Sequence, residues 1–225
     1  MGQGISAVLT FAVGVAISPV PIIAVILMLF SQRARVNGPL FLLGWVLALA
    51  VVSGVVYFLA DQGDVATSSG ASDTVSWGKV VFGAVFLLLA ARQWRTRPAP
   101  GMEPALPKWM AGIDDFAPGK ALAFGVLLAG VNPKNLLLTI GAVTGLAQLS
   151  LSTSDAVASL IVFIVVASLT IAVPVGYYLL GGEHAKTTLD ELKGWLAMHN
   201  AAVMTVLFLV FGVDLIAKGL GPLTS

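Results

Sequence analysis

Two short proline motifs carry most of the chemistry that this sequence offers. They are Ser18-Pro19-Val20-Pro21 and Asn132-Pro133-Lys134-Asn135. Proline favours the first position of a helix, and serine or asparagine is a preferred N-cap directly before it. Each motif therefore predicts the start of a new helix, with unpaired N–H groups and the positive end of a helix dipole. A helix end of this kind can bind an anion.

The composition places both motifs in a membrane protein. The chain has 225 residues, of which 58% are hydrophobic and only 10% are charged, where soluble domains carry about 25% charged residues. The net charge of +1 gives no basic field for a nucleic acid. With no cysteine and only two histidines, the sequence predicts neither a cofactor nor a metal site. A soluble enzyme and a disordered protein are excluded as well.

Six apolar stretches approach the length of about 20 residues that a helix needs to cross a bilayer. They are Ile5–Phe30, Pro39–Ala60, Val75–Ala91, Ala121–Leu146, Ala156–Leu180 and Ala201–Ala217. The proline motifs interrupt the first and the fourth. This punctuation predicts two inverted three-helix repeats, residues 1–91 and 121–225, joined by a cytoplasmic linker over residues 92–120. In transporters built from inverted repeats, the substrate site lies where the broken helices meet.

The distribution of basic residues predicts the orientation. Nine of the twelve Lys and Arg residues follow the first, third and fifth stretches: Arg33, Arg35, Arg92, Arg95, Arg97, Lys108, Lys120, Lys186 and Lys193. The positive-inside rule places these three loops in the cytoplasm and both termini outside.

Lys134 adds a cation to the second motif. It lies 13 residues after Ala121, about 20 Å along a helix and therefore near the middle of the membrane. A cation beside a helix N-terminus is unfavourable unless an anion balances both, and intramembrane charge is usually functional. We therefore expect a phosphate, sulfate or carboxylate of a substrate to bind here. The predicted substrate-binding residues are Ser18, Pro19, Pro21, Asn132, Pro133, Lys134 and Asn135.

Two other interpretations of these motifs stay open. The prolines are also typical of simple kinks whose freed backbone groups are satisfied by neighbouring helices. Lys134 could instead pair permanently with a carboxylate of the protein. Lys79 and Asp214, near the outer ends of the third and sixth stretches, match each other in depth. A structural pair or snorkelling to the interface is favoured for them over a proton relay.

The polar segment before the sixth stretch predicts a helix start. Thr188 and Glu191 have the spacing of a capping box. We expect a short interfacial helix to begin there and to lead into the last span.

The chain resembles the LysE exporter superfamily in its broken first helix and in the Asn-Pro-Lys of its fourth. It resembles more closely the GAP/Sap branch, the sulfolipid-addressing and glycopeptidolipid-addressing membrane proteins. Segments Asp114–Ala121 and Val131–Leu136 carry that closer resemblance, which extends over nearly the whole chain. Val20 stands between two prolines where exporters often have Pro-Gly-Pro, and this departure weakens the case for amino-acid export.

The resemblance implies a six-helix fold in a bacterial inner membrane and a role in moving envelope glycolipids. The leading hypothesis is a secondary transporter or flippase for a lipid or other amphipathic substrate with an anionic headgroup. A small-solute exporter on the same scaffold is the second hypothesis, and an accessory subunit of a larger lipid exporter is the third. We expect no enzymatic activity, and a homodimer is left open.

Overall fold

The chain folds into helices throughout its described part. The computed structural model describes residues 1–62, 69–97, 112–113, 115–149 and 151–223, and no strand occurs in these ranges. The elements in chain order are α1 (Gly2–Ala16), α2 (Pro19–Phe30), α3 (Ala34–Gln62), α4 (Ser69–Arg95), α5 (Pro118–Val126), a π-helical segment (Leu127–Val131), α6 (Pro133–Ala147) and α7 (Thr153–Leu223).

Both predicted helix breaks are confirmed. Helices α1 and α2 meet at an angle of 56°, and the α5–π segment meets α6 at 59°. Helix α2 begins at Pro19 and α6 begins at Pro133. Proline has no N–H and disfavours helical geometry in the preceding residue, so at these two positions one helix stops before the proline and a new one starts there.

A π-helical segment precedes the second break. Its closing hydrogen bond runs from the Asn132 N–H to the Leu127 carbonyl, five residues back, at 3.2 Å. A π turn displaces carbonyls from the regular α-helical ladder and is frequent at functional sites. Here it leaves carbonyls available to side chains of α6.

Several of the helices are long and apolar enough to cross a membrane. Within the described residues, the qualifying single stretches are Ala34–Ala60, Thr153–Gly181 and His184–Gly221, and each bent pair adds one more if it forms a single span. Helix α4 contains the predicted third span, and it is not among the stretches that qualify within the described residues. The described part of the chain therefore has three to five candidate spans, and the predicted third span, Val75–Ala91, and the total of six stay predictions.

Helix α7 corrects the prediction of a short interfacial helix. It runs without interruption from Thr153 to Leu223, over 71 residues, and contains both the fifth and the sixth predicted spans. The Thr188 hydroxyl donates to the His184 carbonyl, 3.2 Å away and one turn back. A threonine inside a helix commonly makes this bond. The capping-box spacing was therefore wrong as a sign of a helix start.

The chain divides into two compact units. The first comprises Met1–Asp61 and Ala105–Ala197, and the second comprises Gln62–Pro104 and Met198–Ser225. The first unit holds both broken helices together with α3 and most of α7. The second holds α4 and the end of α7. The two repeats predicted from the sequence, residues 1–91 and 121–225, divide the chain differently from these units. The repeats stay a prediction.

Two glycines allow α3 and α5 to cross closely in the first unit. A Cβ atom on Gly44 would overlap the Leu122 carbonyl, and a Cβ atom on Gly125 would overlap the Phe41 carbonyl. Small residues at a crossing let helix backbones approach in this way inside a membrane. The crossing positions the π-helical segment, whose Gly130 lies against Ala48 of α3.

The second unit contains a similar crossing of α4 with the end of α7. A Cβ atom on Gly83 would lie 2.7 Å from the Gly212 carbonyl, and one on Gly212 would lie 3.0 Å from the Gly83 carbonyl. One turn away, the rings of Phe86 and Phe208 stack with their centroids 5.6 Å apart. The two helices are thus held together by backbone contact and an aromatic pair.

Candidate functional site

The two helix breaks meet inside the first unit. Helix α1 packs directly against α6. The Ser18 hydroxyl at the first break lies 3.0 Å from the Asn135 Oδ1 atom near the second. Both side chains are buried. The structure therefore brings together two motifs that lie more than a hundred residues apart in the chain.

Lys134 joins the breaks through all three of its ammonium hydrogens. Its Nζ atom donates to the Gly14 carbonyl at 2.8 Å, to the Ile17 carbonyl at 2.9 Å and to the Ser18 hydroxyl at 2.7 Å. The side chain is only 6% exposed. An ammonium has three donors, so each of them has a protein acceptor here.

The partners of Lys134 lie at the C-terminal end of α1. That end carries the negative pole of the α1 dipole and carbonyls without an intrahelical partner. The ammonium therefore balances the end of α1, although its backbone belongs to the start of α6. Among the described side chains, no carboxylate lies within ion-pair distance of Nζ. Two backbone carbonyls, which the sequence reasoning did not consider, accept from the ammonium instead of a described carboxylate. The expected substrate anion stays a prediction.

Ser18 occupies the predicted N-cap position of α2, but its side chain does not cap that helix. Its hydroxyl points towards the Val15 carbonyl at 2.7 Å and the Asn135 Oδ1 atom at 3.0 Å. A single hydroxyl hydrogen serves one of them at a time, while the oxygen accepts from Lys134. An N-cap oxygen accepts from the second or third helical N–H, and the third position is Pro21, which has none. The side chain therefore serves α1 and α6 instead.

The two asparagines of the second motif form hydrogen bonds with different backbone groups at that break. The Asn132 Oδ1 atom accepts the Lys134 backbone N–H at 3.1 Å, which confirms its predicted N-cap role. The Asn135 Nδ2 atom donates to the Leu128 carbonyl in the π-helical segment at 3.0 Å. Asn135 is fully buried, and both ends of its amide are hydrogen-bonded. It links the π segment to Ser18.

The prolines limit the number of amides that an anion could meet. Pro19, Pro21 and Pro133 have no N–H. Within the first three positions of α2, only Val20 can offer a backbone donor. In α6 the Lys134 amide is already capped. An anion at this place would therefore depend on the Lys134 side chain more than on a set of helix-end amides.

Sequence reasoning missed one side chain and two carbonyls of this site. The Thr170 hydroxyl of α7 donates to the Ala16 carbonyl at 2.6 Å, and Gly14 and Ile17 supply the carbonyls that hold Lys134. The carbonyls could have been found by counting back from the predicted break, because a helix leaves its last carbonyls unpaired. The sequence gives no sign that Thr170 belongs to this site, because it is a single hydroxyl residue within a long apolar stretch.

The predicted pair of Lys79 and Asp214 stays a prediction. The Asp214 carboxylate accepts from Lys218, one turn further along α7, at 2.8 Å. The side chain of Lys79 lies outside the described residues, as does Asp114 of the segment that carried the family resemblance. No group of three or more His, Asp or Glu residues suited to a metal ion occurs in the part of the chain that the structure describes.

These features define an all-helical membrane protein in which two broken helices meet at a buried lysine. A family model described as Sap, sulfolipid-1-addressing protein, matches residues 8–221. The chain belongs to the Sap family, and the resemblance found in the sequence is confirmed at that level. No curated protein and no solved structure gives a significant match. The relation to the LysE superfamily stays a prediction.

Proposed function

We propose that this protein translocates an envelope glycolipid, or another amphipathic molecule with an anionic headgroup, across the inner membrane. The headgroup would be bound at Lys134, where the two broken helices meet. The observation that carries the proposal is this buried ammonium at the junction of two half-helices, in a member of a lipid-addressing family. Intramembrane charge is costly and commonly marks a substrate path.

The headgroup would compete with α1 for the ammonium. A sulfate or phosphate oxygen forms stronger charge-assisted hydrogen bonds with an ammonium than a neutral carbonyl does. Binding would draw Nζ away from the Gly14 and Ile17 carbonyls and would loosen the hold of α6 on α1. The α1–α2 break could then change its angle. Substrate binding would be coupled to helix movement through one side chain.

An inverted repeat would turn this movement into alternating access. Three features support such a repeat. The two breaks have similar angles, 56° and 59°. In both broken helices, the half that follows the break begins with proline. The third helix of each predicted half, α4 or the end of α7, belongs to the second unit. The first unit would contain the substrate path, and the predicted orientation has both termini outside.

Lipid retention tests the headgroup site. The wild-type protein, Lys134→Ala and Lys120→Ala would be purified gently from their native membrane and compared by native mass spectrometry with lipid analysis. Lys120 is exposed near the start of α5, so its variant controls for the loss of one positive charge. We expect an anionic lipid to remain with the wild type and Lys120→Ala and to be lost from Lys134→Ala. Equal retention in all three proteins would contradict the proposed site.

Translocation is a separate measurement. The purified protein would be reconstituted alone into vesicles that contain the retained glycolipid. Periodate added outside oxidises the headgroup sugars of the outer leaflet only, because it does not cross the bilayer. Exchange of glycolipid between leaflets that is faster with wild type than with Lys134→Ala supports direct translocation.

An accessory subunit of a larger lipid exporter is the second candidate. It is favoured by one specific observation, that every donor of Lys134 already has a protein acceptor. In that case the breaks are packed kinks. The protein would bind a larger exporter and show no translocation alone, and Lys134→Ala would weaken co-purification of that partner without a change in bound lipid. A small-solute exporter would retain no lipid and would bind a carboxylate substrate at the same helix ends.

A further inference from the structure

The Lys134 ammonium is surrounded by oxygen atoms from the broken end of α1. Three neutral oxygens, two carbonyls and one hydroxyl, lie at 2.7 to 2.9 Å from Nζ. All three belong to the end of α1 and the two residues that follow it, so α6 contributes only the cation. Half-helix C-termini with unwound carbonyls are the groups that hold small cations in membrane transporters.

The neighbouring hydrogen bonds hold this arrangement in shape. The Val15 carbonyl shares the Ser18 hydroxyl hydrogen with the Asn135 Oδ1 atom, and the Ala16 carbonyl accepts from Thr170 and from the Ser18 N–H. The carbonyls of Gly14 and Ile17 are left for an incoming donor. Since unpaired buried carbonyls are costly in a membrane, this end of α1 needs a cation or a donor.

We propose that the broken end of α1 is a binding site for a primary ammonium cation and that Lys134 is its tethered occupant. The side chain reaches the site from another helix and thereby fastens α6 to α1. A free primary ammonium of the same length should replace it when the side chain is shortened. This inference does not depend on lipid transport, because it holds equally for an accessory subunit.

Chemical rescue tests the proposal. Lys134→Ala retains Cβ and lacks the three carbons and the nitrogen beyond it, which correspond to propylammonium. The thermal unfolding temperature of the purified full-length variant would be measured in propylammonium chloride and in tetramethylammonium chloride at equal ionic strength. Tetramethylammonium has no N–H to donate. We expect propylammonium to raise the unfolding temperature of Lys134→Ala with increasing concentration, as a ligand of the native state does.

Three proteins serve as controls for the rescue. The wild type has its site filled, Lys134→Met fills the channel of the missing side chain, and Lys120→Ala shortens an exposed lysine. None of them should respond to propylammonium more than to tetramethylammonium. An equal response of Lys134→Ala to both salts, or an equal response of Lys134→Met to propylammonium, would overturn the proposal.

A second measurement keeps the proposal testable if Lys134→Ala does not fold. Reductive methylation of the wild type, followed residue by residue with peptide mass spectrometry, should label Lys134 more slowly than Lys120. Ser18→Ala removes one of the three acceptors and should speed labelling of Lys134 by about tenfold or more, because hydrogen bonds to charged groups are strong. An unchanged rate in Ser18→Ala, or Lys134 labelled as fast as Lys120 in the wild type, would show that no such site holds the ammonium.

Discussion

The crossing of α3 and α5 allows a prediction with a control in the same helix. Gly44 lies against the Leu122 carbonyl, and a Cβ atom there would overlap it and would lie 3.1 Å from the Val126 nitrogen. These neighbours are backbone atoms, so they cannot rotate away. Gly54, ten residues along α3, has nothing within 4 Å of its Cβ position. The variants Gly44→Ala and Gly54→Ala therefore add the same methyl group to two different surroundings.

The expected magnitudes follow from two opposing effects. Replacing a helical glycine by alanine stabilises the helix by about 0.5–1 kcal/mol through backbone entropy. An extra methyl group in a tight contact costs about 1–3 kcal/mol. We expect Gly54→Ala to be neutral or slightly stabilising and Gly44→Ala to be destabilising by about 1–2 kcal/mol. For a chain of this size, that corresponds to roughly 2–8 °C in unfolding temperature.

Thermal unfolding of the purified proteins in one detergent measures the difference. Gly125→Ala should behave like Gly44→Ala, since the two glycines face the same crossing. Combining the two should cost less than the sum of the single changes, because one separation of the helices relieves both overlaps. Equal unfolding temperatures for Gly44→Ala and Gly54→Ala would show that α3 and α5 do not cross as closely as described.

Three further substitutions test individual contacts, each by the unfolding temperature of the purified protein. Thr170→Val removes the 2.6 Å hydrogen bond to the Ala16 carbonyl, which keeps the Ser18 N–H at 2.8 Å, and should cost about 0.5–1.5 kcal/mol, whereas no loss would show that Thr170 is dispensable to the α1 end. Asn132→Ala removes the N-cap of α6 and should cost about 0.5–2 kcal/mol, while Asn132→Asp should restore most of it. Asp214→Asn breaks only the partly exposed pair with Lys218, so we expect a change below about 0.5 kcal/mol. A larger loss would favour a second partner such as Lys79.

The broken helices were predictable because proline acts locally. A proline directly after an N-cap residue favours a helix start, and Pro19 after Ser18 and Pro133 after Asn132 mark the starts of α2 and α6 in this way. Proline without such a residue before it does not suffice, since Pro39 and Pro174 lie inside α3 and α7. The N-cap of Asn132 is local for the same reason. The membrane class follows from composition, and the Sap resemblance follows from residues that the family model matches. The predicted repeats and orientation stay predictions.

The same local rules failed where a competing contact was available. Thr188 has the type and spacing of an N-cap, yet it lies inside α7 and bonds one turn back. Ser18 has the N-cap position of α2. Proline at the third position of that helix has no N–H from which the Ser18 oxygen could accept, and the Ser18 hydroxyl contacts α6 instead. A residue of the capping type therefore caps a helix with its side chain only when the amides it would bind are present and unpaired.

The sequence by itself determined where the chain breaks and which polar residues lie at the breaks. Tertiary structure decided which atoms those residues meet. Lys134 lies in the first turn of α6, but its ammonium neutralises the end of α1, where its partners lie 116 to 120 residues earlier in the chain. Thr170 and the glycine crossing depend on the same long-range packing. Local propensities specify helix ends, whereas the burial of a charge is decided by which helix supplies acceptors at the same depth.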